Sequence, residues 1–295
     1  MSKPVLSNTV KNIIASRGSP LPPAGQEAAR LHRLLTELQD RSSLRSSHNA
    51  LLTLAAGTFI TLNSPSALRS LWQWSGKTKE DALVLREAGL KSISFIGIPK
   101  VINNLGILHE CFKADGLDLP TKKRRCDHST SRCRFTKQSL TRLLSLYRDM
   151  WSESNNNTFS RGKELWNSIY QPHSDKLIRK LAEYHPDLPV HILDSHYSLL
   201  LSDPSPVGPL GRTLTSVLAV ACLQSYTGVG SQVTSHVFGL KKADEEEEDT
   251  AALRAQGISA EEKRWLCGDE GSEWVLNAVE ELRHVVMDDK PRANL

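Results

Sequence analysis

The sequence predicts an all-α fold, and three observations carry that prediction. Apolar residues recur at three- and four-residue spacing along almost the whole chain. Prolines, glycines and small capping residues punctuate the pattern where helices would begin or end. No run alternates apolar and polar residues as a half-buried strand would.

Taken in order, Ala28, Leu31, Leu34, Leu35 and Leu38 form the stripe of an amphipathic helix after the Pro20–Gly25 breaker region. A more hydrophobic helix is expected over Asn49–Leu62. Ser64 then stands as an N-cap with Pro65 in the first turn of the next helix, Ala67–Trp74. Lys79–Phe95 follows, and Gly97-Ile98-Pro99 breaks the chain before Lys100–Phe112. Asp115–Lys137 reads as a polar, basic connector, and Ser139–Met150 as helix. Asn155-Asn156-Asn157 is expected to interrupt the pattern. Helices are then predicted over Phe159–Tyr170, Ser174–Tyr184, Leu188–Leu201, Leu210–Tyr226, Gly230–Lys242, Ser259–Cys267 and Gly271–Met287. The acidic run Asp244–Asp249 reads as a solvated loop or helix start.

At 295 residues with 39% hydrophobic residues, the chain can build a core, which excludes disorder and a disulfide-stapled miniprotein. Its net charge of +4 is local. Thr121–Arg148 holds nine basic residues and one acid, so the remainder nets −4. That makes the basic segment a solvated linker, docking on the acidic run, and no nucleic-acid partner is expected. The most apolar stretch, Ala50–Leu62, is far short of the roughly 20 residues a membrane span needs. Five cysteines without a Cys-x-x-Cys pair fit a reducing compartment. The final tripeptide, Ala293-Asn294-Leu295, resembles the type 1 peroxisomal signal, which implies an import receptor as partner and the peroxisomal matrix as location. Basic residues and serines without an acid before Glu27 leave a mitochondrial presequence as the alternative, and a cytoplasmic location stays open.

The two halves resemble each other. Leu54-Ala55-Ala56 through Trp72 can be laid on Leu218-Ala219-Val220 through His236 at one offset, and Gly97, Val101, Ile102 and Asn103 fall on Gly271, Val275, Leu276 and Asn277. This divides the chain into a helical unit at 26–113, a connector with a helix at 114–158, a second unit at 159–287 and a tail at 288–295.

Several segments resemble carboxymuconolactone decarboxylase: Arg161-Gly162, Tyr184-His185-Pro186-Asp187-Leu188, Leu201-Ser202-Asp203-Pro204, and the stretch Arg212–Ala243 with Ser235-His236-Val237-Phe238-Gly239-Leu240. Gly97-Ile98-Pro99 with Val101-Ile102-Asn103 is similar to another segment of that family. The resemblance covers 159–287 and, more loosely, 26–113. It implies the helical fold shared with the alkyl hydroperoxidase D proteins and a homo-oligomer built through exposed apolar helices.

The peroxidase branch of that superfamily uses a Glu, a Cys-x-x-Cys pair and a His. With His236 on the family histidine, these positions hold Val217, Val229 and Gln232, so thiol peroxidase chemistry is not expected. The decarboxylase branch needs a proton source for a developing enolate and donors for a carboxylate. His236 is the candidate proton-transfer group, with His196 and Tyr226 as further candidates, acting on a small carboxylated or carbonyl substrate. Acids that the family carries near Leu199 and Thr213–Thr215 are missing here. A non-catalytic descendant that keeps the fold for binding or assembly is the other reading, with His236 as a core histidine. No cofactor is expected, because neither a phosphate-binding glycine loop nor a Gly-x-Ser-x-Gly elbow occurs. No metal is expected either: there is no His-Glu-x-x-His, and His191 and His196, five apart, would stand about 140° apart on an α-helix. Trp72, Trp74, Trp166, Trp265 and Trp274 are expected in the core, and Cys222 and Cys267 as buried thiols. Cys126, His128 and Cys133 lie in the connector as unpaired residues.

Overall fold

Two helices of this protein are apolar on every side, and such helices must be wrapped by others. They are α2 (His48–Thr61), where every residue from Ala50 onward is buried, and α8 (Arg212–Gln224), buried from Thr213 to Leu223. They pack on each other, and Gly57 lies at their contact. A Cβ there would stand 2.9 Å from the Leu218 side chain and 3.3 Å from Ala221. The remaining helices bury single stripes around this pair. α1 (Ala24–Arg41) contributes Leu31, Leu35 and Leu38, and α12 (Asp269–Asp288) contributes Val275, Ala278, Val279, Leu282 and Val286.

The computed structural model describes residues 9–12, 24–42, 48–119, 155–203, 208–246, 248 and 250–288. Among them every regular element is helical, in agreement with the expected all-α class. After α2 come α3 (Pro65–Trp74), α4 (Lys79–Ile96) and α5 (Ile98–Ala114). Ser64 caps α3 by accepting from the Ala67 N–H, with Pro65 in the first turn, as its sequence predicted. Thr78 and Asp81 close a capping box on α4, and Gly97 separates α4 from α5 at φ +79°.

Beyond the connector, α6 (Asn155–Tyr170) begins at the asparagines that were expected to break the pattern. Asparagine is favourable at a helix start, and at these positions it opens the helix rather than preceding it. α7 (Ser174–Tyr184) is followed by one α-turn, Leu188–Val190, that runs into a π-helix over His191–Leu201. The α-helix expected over Leu188–Leu201 is therefore corrected: the Ser202 N–H bonds to the Tyr197 carbonyl, five residues back. α9 (Gly230–Lys242) leads into a 3-10 turn at Ala243–Glu245, then α10 (Thr250–Gln256), α11 (Ala260–Cys267) and α12 complete the described elements. α10 was not foreseen.

The larger core draws on α1 to α5 and on α8 to α12 alike. A smaller one, built on Trp166, Ile169, Tyr197 and Leu201, lies between α6, α7 and the π-helix, and Phe95 packs against both. The tryptophans follow expectation in part. Trp72 and Trp166 are buried, whereas Trp74, Trp265 and Trp274 are half-buried against the larger core.

The acidic run also needs correction. Asp244 and Glu245 are exposed, but Glu246 and Glu248 turn inward. Glu246 pairs with Arg212 at 3.0 Å, and Glu248 lies 3.5 Å from Lys263 and accepts from Thr213 and Gln256. Among the described residues, the partners of these two carboxylates include the buried cations Arg212 and Lys263 of the helical core, and the expected docking of the basic connector lies outside the described residues. Cys126, His128 and Cys133, most of the connector, the Ser139–Met150 helix and Ala293-Asn294-Leu295 lie outside the described residues.

Candidate functional site

Two glycines decide where α6 lies, and α6 decides the surroundings of His236. At Gly239 on α9 a Cβ would meet the Ile169 side chain at 2.9 Å, so α9 and α6 approach closely there. At Gly162 a Cβ would lie 2.6 Å from the Ser198 Cα, so α6 and the π-helix touch backbone to backbone. Held from both sides, the last turn of α6 presents Tyr170 to His236 and to Tyr197.

His236 is 7% exposed. The Tyr170 hydroxyl lies 3.2 Å from His236 Nε2, and the Tyr197 hydroxyl donates to the Tyr170 oxygen, also at 3.2 Å. Tyr170, which accepts from Tyr197, shares a single hydrogen bond with Nε2, and the imidazole tautomer sets which of the two donates. Phe95 meets the histidine ring edge-on with centroids 5.6 Å apart, and Tyr170 does so at 6.0 Å. Burial, with the positive charge of Arg212 nearby, drives the His236 pKa down to about 4. Near neutrality the ring is uncharged, packed and hydrogen-bonded to Tyr170. Burial likewise raises the phenol pKa values of Tyr170 and Tyr197.

Arg212 opens α8 beside this group. Its Nε donates to Ser168 and to Glu246, one terminal nitrogen donates to Ser216, and the other donates to the Gly239 carbonyl at 2.8 Å. All three nitrogens of the guanidinium thus serve to join α6, α8, α9 and the acidic run.

The other two candidates stand apart from the Tyr170 chain. His196 Nδ1 lies 3.2 Å from the Ser94 hydroxyl, one residue before Phe95 on α4. Its pKa is lowered by burial and then by the charge of His191. That coupling reflects the π-helix. Bonds from i to i+5 bring residues five apart back toward one face, so the 140° separation expected of an α-helix does not apply to His191 and His196. Among the described residues, no group of three His, Cys, Asp or Glu side chains is placed to hold a metal ion. Tyr226, at the end of α8, is partly exposed and carries the Lys100 ammonium 4.9 Å from its ring centroid.

The residue that sequence reasoning missed altogether is Lys91. Fully buried on α4, it donates to Asp203 at 3.0 Å, to the Leu210 carbonyl at 2.6 Å and to Thr215 at 2.8 Å. A lysine in the apolar stripe of a predicted helix was the available signal, since lysine is almost never fully buried without a partner. Cys111, Cys222 and Cys267 are buried free thiols. Burial pushes Cys222 up to about 11 and Cys267 up to about 12, which makes both unreactive near neutral pH. No family model, curated protein or solved structure matches this chain.

Proposed function

We propose that this chain is a non-catalytic binding and assembly protein built on a carboxymuconolactone decarboxylase-like helical fold. In this reading, His236 serves to hold α4, α6 and α9 together. One observation carries it: the His236 ring is closed in by Phe95 and Tyr170, already hydrogen-bonded, and uncharged near neutral pH. A general acid in that state has no proton it can readily give at neutral pH. Arg212, the cation nearest in role to a carboxylate clamp, already donates from each of its nitrogens to the protein.

Assembly is supported by α5. Ile98 and Ile102, one turn apart, are 57% and 65% exposed, the kind of apolar pair that the resemblance would set between copies of the chain. The tandem reading belongs here too. α2 with α3 and α8 with α9 would be two versions of one hairpin, which agrees with the direct packing of α2 on α8. We place the protein in the peroxisomal matrix on the strength of Ala293-Asn294-Leu295.

The second reading, acid–base catalysis, is favoured by the Tyr197–Tyr170–His236 hydrogen-bonded chain, through which a proton could pass. Incubation with a panel of small lactone acids and β-keto acids, monitored for carbon dioxide release, separates the two. The expected result is release at the uncatalysed rate for wild type and His236→Gln alike. Faster release by wild type, lost in His236→Gln while the variant still melts cooperatively, would establish the catalytic reading instead.

A further inference from the structure

α5 ends in a turn that builds one wall of a cavity. Gly116 stands at φ +71°, its N–H bonds to the Lys113 carbonyl, and the Leu117 N–H bonds to the Phe112 carbonyl at 2.9 Å. This pair of bonds folds the chain back on the last turn of the helix and sets Leu117 and Leu119 beside Phe112. The Phe112 ring is fixed in turn by Trp72, edge to face with centroids 4.7 Å apart. Leu105 can settle against α4 because position 89 is glycine: a Cβ there would lie 2.6 Å from the Leu105 side chain. With Leu108, these side chains enclose a cavity of about 330 Å³. Its interior is apolar, with Leu108, Phe112 and Leu119 buried and Leu105 and Leu117 half-buried. Its mouth is balanced in charge. Arg86 is already engaged within the protein, and Lys113 and Asp118 stand exposed with opposite signs.

We propose that this cavity binds a compact, uncharged aromatic alcohol of about eight to ten non-hydrogen atoms, with its ring against Phe112 and Leu108 and its hydroxyl at the mouth. The volume lies at the small end of ligand sites, so a single ring suits it better than a nucleotide or a long-chain lipid. Phe112, held in place by Trp72, offers an aromatic neighbour of fixed geometry, and the leucines supply the remaining apolar area. Charge is selected against. A carboxylate or an ammonium loses hydration over the apolar interior, and Lys113 with Asp118 offsets that loss for neither sign. A hydroxyl can accept from the one or donate to the other, so either end of the mouth satisfies it. This site is independent of His236, and neither reading of that residue affects it.

The test is calorimetric titration of the full chain with phenol, benzyl alcohol and phenethyl alcohol, at about pH 8, where an ordinary imidazole is uncharged. Affinity should tighten by about threefold to fourfold with each methylene from phenol to phenethyl alcohol. Phenylacetate and phenethylammonium, close in size but charged, should each bind at least about threefold more weakly than phenethyl alcohol. Leu117→Trp, which fills the cavity, should abolish binding, and a thermal melt establishes that the variant is folded. Should it unfold, methyl NMR of the wild type decides, with phenethyl alcohol expected to shift Leu105, Leu108 and Leu117. Either charged analogue binding as tightly as the alcohol overturns the proposal. So does an unchanged affinity in folded Leu117→Trp. Methyl shifts confined to leucines elsewhere, or no saturable binding of phenethyl alcohol, overturn it as well.

Discussion

Gly162 on α6 lies directly against Ser198 on the π-helix: a Cβ at position 162 would lie 2.0 Å from the Ser198 Oγ and 2.7 Å from its backbone nitrogen. The contact fixes the height of α6 against the π-helix. It thereby sets Tyr197, adjacent to Ser198, within hydrogen-bond reach of Tyr170. The close approach depends on the absence of a side chain at position 162.

Gly162→Ala should therefore destabilise the protein by about 1–3 kcal/mol through overpacking, since backbone cannot give way as a flexible side chain could. Gly106 on α5 is the control. Nothing lies within 4 Å of a Cβ added there, so Gly106→Ala should stabilise by about 0.5–1 kcal/mol through helix propensity. Urea denaturation of the two variants measures both. Equal midpoints would mean that the α6 contact is not as tight as described.

Lys91 links the N-terminal helices to the start of α8. Lys91→Met should cost about 3–5 kcal/mol, because it leaves the Leu210 carbonyl, Thr215 and the mostly buried Asp203 carboxylate without their cation. A double variant, Lys91→Met with Asp203→Leu, should recover part of that loss, since removing both charges also removes the desolvation cost. If Lys91→Met alone melts at the wild-type midpoint, the ammonium is not held in the interior.

The helices were legible because burial imposes a period on the sequence, and α1, α3, α4, α5 and α9 begin and end within a few residues of expectation. The π-helix was not legible. Its apolar spacing resembles that of an α-helix, and no residue within it marks the wider turn. Glu246 and Glu248 misled for a similar reason: a run of acids reads as solvated unless the cations that meet it, Arg212 and Lys263, are known to be neighbours in space. His236 was legible as a residue of interest from resemblance alone. Its partners Tyr170 and Tyr197 come from two other helices, and only tertiary packing joins them.

Location can be tested apart from fold. A fluorescent protein fused ahead of this chain, so that Leu295 remains the last residue, should appear as puncta that coincide with a peroxisomal marker. Removal of Ala293-Asn294-Leu295 should disperse it to the cytosol. Puncta that persist after the deletion would refute the targeting role of the tripeptide.

Two buried groups should give stability opposite slopes with pH. His236 has a folded-state pKa of about 4 against 6.5 when free, so the unfolded chain takes up the proton first. Its effect is absent above pH 7 and becomes a loss as pH falls from 6.5 toward 4, reaching about 3 kcal/mol. Glu262 works the other way. It is buried on α11, its Oε1 has no hydrogen-bond partner, and burial raises its pKa to about 7 from 4.5. The folded state holds that proton more tightly, so the contribution is complete below pH 4.5 and is lost as pH rises through 7, by at most about 3 kcal/mol. Between pH 4.5 and 6.5 the two slopes oppose each other, and wild-type stability should be nearly flat. Glu262→Gln keeps the capping acceptor for the Ser259 N–H but cannot ionise. It should match wild type near pH 4.5 and exceed it at pH 8, while His236→Phe should remove the loss on the acid side. Denaturation midpoints across pH 4–8 measure each slope separately. A Glu262→Gln curve parallel to wild type over the whole range would show that the carboxyl is ionised in the folded protein at neutral pH and that its burial is relieved by solvent.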